Sequence, residues 1–76
     1  MLTSALPAGQ WALQHIPLGQ AAMYLDLINV MTYDFSGPWV DTCGHHAQLF
    51  TPRRPHSDAA TISCQSAINY LVSQGV

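Results

Sequence analysis

The sequence predicts an α/β fold, in which strands and helices alternate along the chain. Two short apolar runs, residues 2–6 and 27–35, are each followed by glycine and proline, which is typical of a strand that enters a turn. After each run, apolar residues recur at the spacing of one helix face. A chain of 76 residues makes at most one domain and buries only a limited core of its own.

The first predicted strand, residues 2–6, ends at a Pro-Ala-Gly turn at 7–9. In residues 10–16 the apolar residues show neither helical nor strand spacing. Pro17 then supplies a favourable first position for a helix. Four apolar residues follow at helical spacing, Leu18, Ala21, Ala22 and Leu25. They predict a short helix that ends near residue 26.

The second predicted strand, residues 27–35, is the most informative segment of the chain. Its two faces carry different residues, with Ile28, Val30 and Thr32 on one and Asn29, Met31 and Tyr33 on the other. The apolar run leads into a polar tip at Tyr33 and Asp34. This pattern suits a buried parallel strand whose carboxyl end lines a site.

A long connection and a final helix complete the predicted order. Residues 36–55 are rich in Gly, Pro, His and Thr, and this length exceeds the usual connection of about 2–6 residues. Ser57 or Asp58 can cap the helix that follows. Six residues share one face of that helix, Ala60, Cys64, Ala67, Ile68, Leu71 and Val72. Gly75 is suited to its end.

The composition excludes two classes of partner. Charged residues make up 8% of the chain, against roughly 25% in ordinary domains, and 49% of the residues are apolar, so we expect this surface to have protein neighbours. The net charge is −2 and the only Lys or Arg residues are Arg53 and Arg54, in a loop that we expect to be solvated. We therefore predict no nucleic-acid partner and no membrane partner. The sequence shows neither a spanning helix nor a signal peptide, and the compartment stays open.

The cysteines and histidines do not predict a metal site. Cys43 and Cys64 lack metal-ligand spacing, and a disulfide between them and two separate thiols are both left open. His45 and His46 have Cys43 and His56 nearby, but adjacent side chains point apart and zinc sites use spaced ligand pairs. A Ser/His/Asp triad lacks a nucleophile elbow. We predict no metal and no cofactor.

The passage LINVMTYDFSGPW resembles the M-x-Y-D strand of the family 18 glycoside hydrolases, the chitinases. Gly44-His45, the later Leu49 and the Pro-Ala-Gly turn match the same family. The Ser-Gly-Pro-Trp and Ala-Gln-Leu stretches are most similar to those of fungal members. The resemblance implies a (β/α)8 TIM barrel, of which residues 1–76 would be a partial catalytic domain. They would cover about two of its eight βα units, near the fifth and sixth. The rest of the barrel is then expected to be needed for stability.

In such a barrel, the Ile28 face of the second strand would meet the outer helices and the Met31 face would line the interior. Chitinases of this family cleave β-1,4 linkages between N-acetylglucosamine units, with the acetamido oxygen of the substrate as nucleophile. The resemblance implies that Tyr33 donates a hydrogen bond to that acetamido group and that Asp34 binds the sugar beside the cleavage point. Met31 would form an apolar floor under the acetyl methyl group, and Trp39 would stack on a sugar.

Each of these residues also has a purely structural interpretation. Tyr33 alone would be read as a core residue, Asp34 as a turn residue, Met31 as core filler and Trp39 as a cover for the barrel rim. The motif around them favours the site roles, with Tyr33 and Asp34 as the catalytic pair. For His45 we expect a structural hydrogen bond.

The predicted function is that of part of a chitinase, with chitin or its oligosaccharides as the substrate. The catalytic glutamate of the family lies in a DxxDxDxE strand, which is absent here, and the chain contains no Glu. We therefore expect the isolated chain to be inactive. Two alternatives remain, a fragment of a chitin-binding lectin of the same fold and a small autonomous interaction domain.

Overall fold

A computed structural model describes residues 1–40, 44–53 and 61–76. Its elements, in chain order, are β1 (Thr3–Pro7), α1 (Gln10–Leu13), α2 (Leu18–Ala22), β2 (Leu27–Met31) and α3 (Cys64–Ser73). This order agrees with the predicted alternation of strands and helices.

The two strands pair in parallel, with Thr3 opposite Leu27 and Pro7 opposite Met31. A double hydrogen bond holds the amino-terminal end of the pair. The amide of Leu2 donates to Asp26 Oδ2 at 2.8 Å, and the amide of Asp26 donates to the carbonyl of Leu2, also at 2.8 Å. Because the strands are parallel, their carboxyl ends lie side by side at the opposite edge.

The crossover between the strands differs from the prediction in two places. Residues 10–16, which gave no clear period, contain α1, whose Leu13 is fully buried. The helix predicted to end near residue 26 ends at Ala22. The amide of Asp26 is already bonded to Leu2, so the helix cannot continue that far.

The core consists of two small clusters between the strand pair and the helices. The first contains Ala8, Phe35 and Ala67. The second contains Leu13, Leu18 and Leu71. Val30 of β2 packs against both clusters. For Val30, the predicted orientation toward the helices is therefore confirmed.

Strand β2 is shorter than predicted, because it ends at Met31 and not at residue 35. The amide of Thr32 donates to the carbonyl of Val30 at 3.0 Å, which turns the chain away from the strand direction. Thr32, Tyr33 and Asp34 consequently lie beyond the sheet. The polar tip of the predicted strand is a separate turn.

Helix α3 starts later than predicted. Its cap is Ser63, whose extended backbone (φ −152°, ψ 169°) cannot continue a helix toward the amino terminus. The predicted caps Ser57 and Asp58 lie outside the described residues, as does Cys43, so the choice between a disulfide and two thiols stays open.

The amino-terminal amides of α3 are bonded to the connecting segment, which explains where the helix begins. The amides of Cys64 and Gln65 donate to the carbonyls of Gln48 and Leu49, each at 3.0 Å. These amides have no partner inside a helix. The segment 44–53 is thereby fastened to the start of α3.

Ser63 forms a capping box and is expected to be a main anchor of α3. Its hydroxyl accepts the Ser66 amide at 3.0 Å, lies 2.9 Å from the Thr51 hydroxyl and is buried. We expect Ser63→Ala to lower the free energy of unfolding by about 1–2 kcal/mol, measured by urea denaturation of the complete protein that carries this segment. Ser73→Ala, at the exposed end of the same helix, is the matched control. An equal effect of the two substitutions would contradict the assignment.

Candidate functional site

The carboxyl ends of the two strands border a cavity of about 230 Å3. The parallel register sets Pro7 beside Met31, so the segments that leave the strands meet at this edge. The lining residues are Pro7, Ala8, Gly9, Trp11, Met31, Tyr33, Asp34, Phe35 and Ile62. The cavity is thus bordered by the ends of both strands and by Ile62.

Asp34 has a backbone conformation that sets the shape of this edge. Its φ of 58° is the only positive φ of a non-glycine residue in the described ranges. Aspartate tolerates this left-handed region better than most residues. The next residue, Phe35, lies in the core with 6% exposure, while the side chain of Asp34 stays 63% exposed. The turn separates an exposed carboxylate from a buried ring.

His46, from the connecting segment, contacts three consecutive residues of this turn. Its Nδ1 lies 3.5 Å from Asp34 Oδ1, an ion pair when the imidazole is protonated. Its ring lies 6.4 Å from the ring of Tyr33, centroid to centroid, with 29° between the planes. The amide of Phe35 donates to the carbonyl of His46 at 2.9 Å. One residue therefore links both polar side chains of the turn to the segment 44–53.

A second cavity, of about 530 Å3, adjoins the first. The two share Ala8, Trp11, Asp34, Phe35 and Ile62 in their linings. The larger cavity is also lined by Trp39, among others. Its volume falls within the range of about 300–1,000 Å3 that is usual for ligand pockets.

Trp11 and Trp39, which both line this cavity, each place the indole ring directly against the backbone of a glycine. A Cβ atom at Gly37 would collide with the indole of Trp39, and one at Gly9 would collide with the indole of Trp11. Glycine at both positions lets the rings lie close to the backbone. Trp11 is 70% exposed and Trp39 is 63% exposed, so both keep ring surface available to a ligand.

The structure brings the predicted site residues to one edge of the sheet. Met31 and Tyr33 line the smaller cavity, Trp39 lines the larger one, and Asp34 lines both. Their chemical roles remain predictions.

The structural hydrogen bond expected for His45 stays a prediction. No side-chain hydrogen bond of His45 is found within the described residues, and its neighbour His46 makes the contacts to the turn.

Trp11 and His46 also lie at this edge, and neither was predicted from the sequence to do so. A signal for Trp11 was present, because an aromatic residue close behind the Pro-Ala-Gly turn must lie near the end of β1. For His46 no local signal existed, since its contacts depend on the path of the connecting segment.

The chemistry available at this edge is that of binding and orientation. It offers a phenol, a carboxylate and two flat indole faces, which suit a ligand with a polar rim and apolar ring faces. In residues 1–40, 44–53 and 61–76 no group of three His, Cys, Asp or Glu is arranged to hold a metal ion. Within the same ranges, no helix has the length and apolar character needed to cross a membrane.

Comparison with known proteins identifies the family that this segment resembles. The family model described as "Glycosyl hydrolases family 18" matches residues 1–76. Endochitinase 1 of Metarhizium robertsii is 35% identical over 75 residues, which are 99% of this chain and 18% of that protein. A solved chitinase from Bacillus thuringiensis is 38% identical with a TM-score of 0.89, covering 100% of this chain and 12% of that one.

A second solved structure, a family 18 N-acetylglucosaminidase from Paenibacillus barengoltzii, is 32% identical with a TM-score of 0.87. The match covers 99% of this chain and 21% of that one. The chain thus spans about a fifth or less of the length of these three proteins.

Proposed function

The chain belongs to the glycosyl hydrolases of family 18, and on that premise we propose that it is part of a chitinase that cleaves β-1,4 linkages between N-acetylglucosamine units. Residues 1–76 would be part of its catalytic domain, near the fifth and sixth βα units of a (β/α)8 barrel. The observation that carries the proposal is the grouping of Met31, Tyr33 and Asp34 around one cavity at the carboxyl edge of parallel strands. This is the edge at which barrel enzymes hold their active sites.

Tyr33 would orient the nucleophile of the reaction. In substrate-assisted retention the acetamido oxygen of the substrate attacks the anomeric carbon. The side chain of Tyr33 is half exposed and borders the smaller cavity, so its hydroxyl can donate a hydrogen bond to an acetamido group bound there. Such a bond holds the oxygen in place and stabilises charge as it develops.

Met31 and Asp34 would bind the rest of the reacting sugar. The thioether side chain of Met31 lines the same cavity and suits the acetyl methyl group. The carboxylate of Asp34 lies where the two cavities meet, within reach of a sugar in either one. We assign Asp34 to hydrogen bonds with the sugar beside the cleavage point.

Trp39 would stack on a further sugar, and we assign the same role to Trp11. Both indoles line the larger cavity and keep more than half of their surface exposed. Sugar rings have apolar C–H faces on which an aromatic ring can stack. The hydroxyl groups around the edge of the sugar then stay in contact with water.

The proton donor must come from another part of the complete protein. The chain contains no Glu, and the general acid of the family is the glutamate of DxxDxDxE. In this proposal the segment orients and binds the substrate while a glutamate elsewhere transfers the proton.

Hydrolysis of chito-oligosaccharides tests the proposal. We expect the complete protein that carries this segment to release N-acetylglucosamine products and the isolated 76-residue chain to release none. General acid catalysis alone contributes about 10²–10⁴-fold, so its loss should abolish measurable turnover. Turnover by the purified isolated chain would contradict the assignment of the acid to another segment.

A chitin-binding lectin of the same fold is the second candidate. The observation that favours it is a cavity with two exposed tryptophans in a segment without Glu, because sugar binding needs no acid. Retention of the complete protein on chitin beads, together with absence of the DxxDxDxE strand and of hydrolysis, would support the lectin. Hydrolysis would exclude it.

A further inference from the structure

His46 contacts Tyr33 and Asp34 through different parts of the same side chain. Nδ1 faces the carboxylate of Asp34 at 3.5 Å, while the ring stacks on Tyr33 at a centroid distance of 6.4 Å. Ring pairs at about 4.5–7 Å are within the range of favourable aromatic contact. Both polar groups of the turn therefore share one neighbour.

These contacts are unlike those of a residue that stabilises the fold. The side chain of His46 is 62% exposed and that of Asp34 is 63% exposed, and ion pairs between exposed groups contribute little to stability. A separation of 3.5 Å is also longer than a usual hydrogen bond, about 2.7–3.2 Å. The ring of His46 instead occupies space beside both side chains, into which they could otherwise point.

The segment that carries His46 is held in place without its side chain. The carbonyl of His46 accepts the amide of Phe35, and the carbonyls of Gln48 and Leu49 accept amides of α3. All of these bonds use backbone atoms. Substitution of His46 therefore leaves the anchors of the segment intact.

We propose that His46 is a positioning residue, which holds the Tyr33 phenol and the Asp34 carboxylate in the orientation needed for hydrolysis. The inference rests on the proposed function, since these two side chains matter only if they bind the substrate. Exposed side chains otherwise exchange between staggered rotamers. Because a misplacement of about 1 Å can reduce a rate about 100-fold, a fixed orientation has kinetic value.

Three substitutions separate the two contacts. His46→Ala removes both of them, His46→Asn keeps a polar group near Asp34, and His46→Phe keeps a ring against Tyr33. His15→Ala is the control, because His15 is an exposed histidine that contacts neither side chain. Each variant is made in the complete protein, and kcat, KM and the melting temperature are measured with chito-oligosaccharides.

We expect His46→Ala to lower kcat about 10-fold or more, with a change in KM below about threefold. The melting temperature should move by less than about 2 °C, as expected for an exposed site. His46→Asn and His46→Phe should each recover part of kcat. His15→Ala should match the wild type.

The inference alone would be overturned if His46→Ala kept the kcat of the wild type, or if its loss of kcat followed a loss of melting temperature. Failure of both partial variants to recover any kcat would also overturn it. A wild-type protein that does not hydrolyse the substrate would overturn the proposed function, and this inference with it.

Discussion

Tyr33→Phe in the complete protein is expected to lower kcat about 100-fold or more and to change KM far less. The substitution removes only the hydroxyl that we assign to the acetamido group of the substrate. A hydrogen bond that strengthens as charge develops acts mainly on the transition state, and removal of one such donor costs about 10²–10³ in kcat. Steady-state kinetics with chito-oligosaccharides measures both constants.

Tyr24→Phe provides the matched control for this substitution. Tyr24 is 76% exposed and lines neither cavity of the candidate site. The Tyr24→Phe variant should keep the kcat and KM of the wild type. If Tyr33→Phe were as active as Tyr24→Phe, Tyr33 would have no part in the mechanism. A rise in KM without a fall in kcat would make Tyr33 a simple binding contact.

The 76-residue chain made alone is expected to associate at micromolar concentration near pH 6, close to its isoelectric point of about 6.0. Each strand has its partner on one side only within the described residues, and unpaired strand edges favour association. Several large apolar side chains are exposed, including Leu2, Met23, Leu27, Ile68 and Val72. With a net charge of −2, electrostatic repulsion opposes this association only weakly.

Sedimentation of two charge variants distinguishes apolar association from a general effect of charge. Ile68→Lys and Asn69→Lys add the same charge to exposed positions of α3, but only the first removes apolar surface. We expect Ile68→Lys to lower the average mass of the sedimenting particles, and Asn69→Lys to leave that mass unchanged. A compact wild-type monomer, with sharp side-chain NMR signals and cooperative unfolding, would instead show a self-sufficient domain and favour the interaction-domain alternative.

Much of the fold could be predicted because its signals are local. The β-branched and apolar residues at 27–31 form a strand wherever a sheet can cover them, and residues 64–73 place their apolar side chains on one helix face. The grouping of Met31, Tyr33 and Asp34 was also predictable, because they follow one another in the chain and share the carboxyl edge of a parallel strand. The match of the family model to residues 1–76 confirms the resemblance carried by the same residues.

The element ends depended on bonds between distant residues. β2 stops at Met31 because of a turn at Thr32, and α3 begins at Cys64 because the carbonyls of Gln48 and Leu49 lie at its amino-terminal end. A helical pattern of apolar residues does not show which backbone amides will donate to carbonyls in distant parts of the chain. The predicted ends were therefore wrong by several residues while the types of element agreed.

The sequence by itself determined the family, the alternation of strands and helices and the polar tip that follows β2, since each depends on residues close together in the chain. The tertiary structure alone decided that Trp11 shares a cavity with Trp39 and that His46, not His45, meets Tyr33 and Asp34. These contacts join separate segments, and their geometry is set by parallel pairing and by the backbone bonds that fasten residues 44–53. Local periodicity carries no information about such distances.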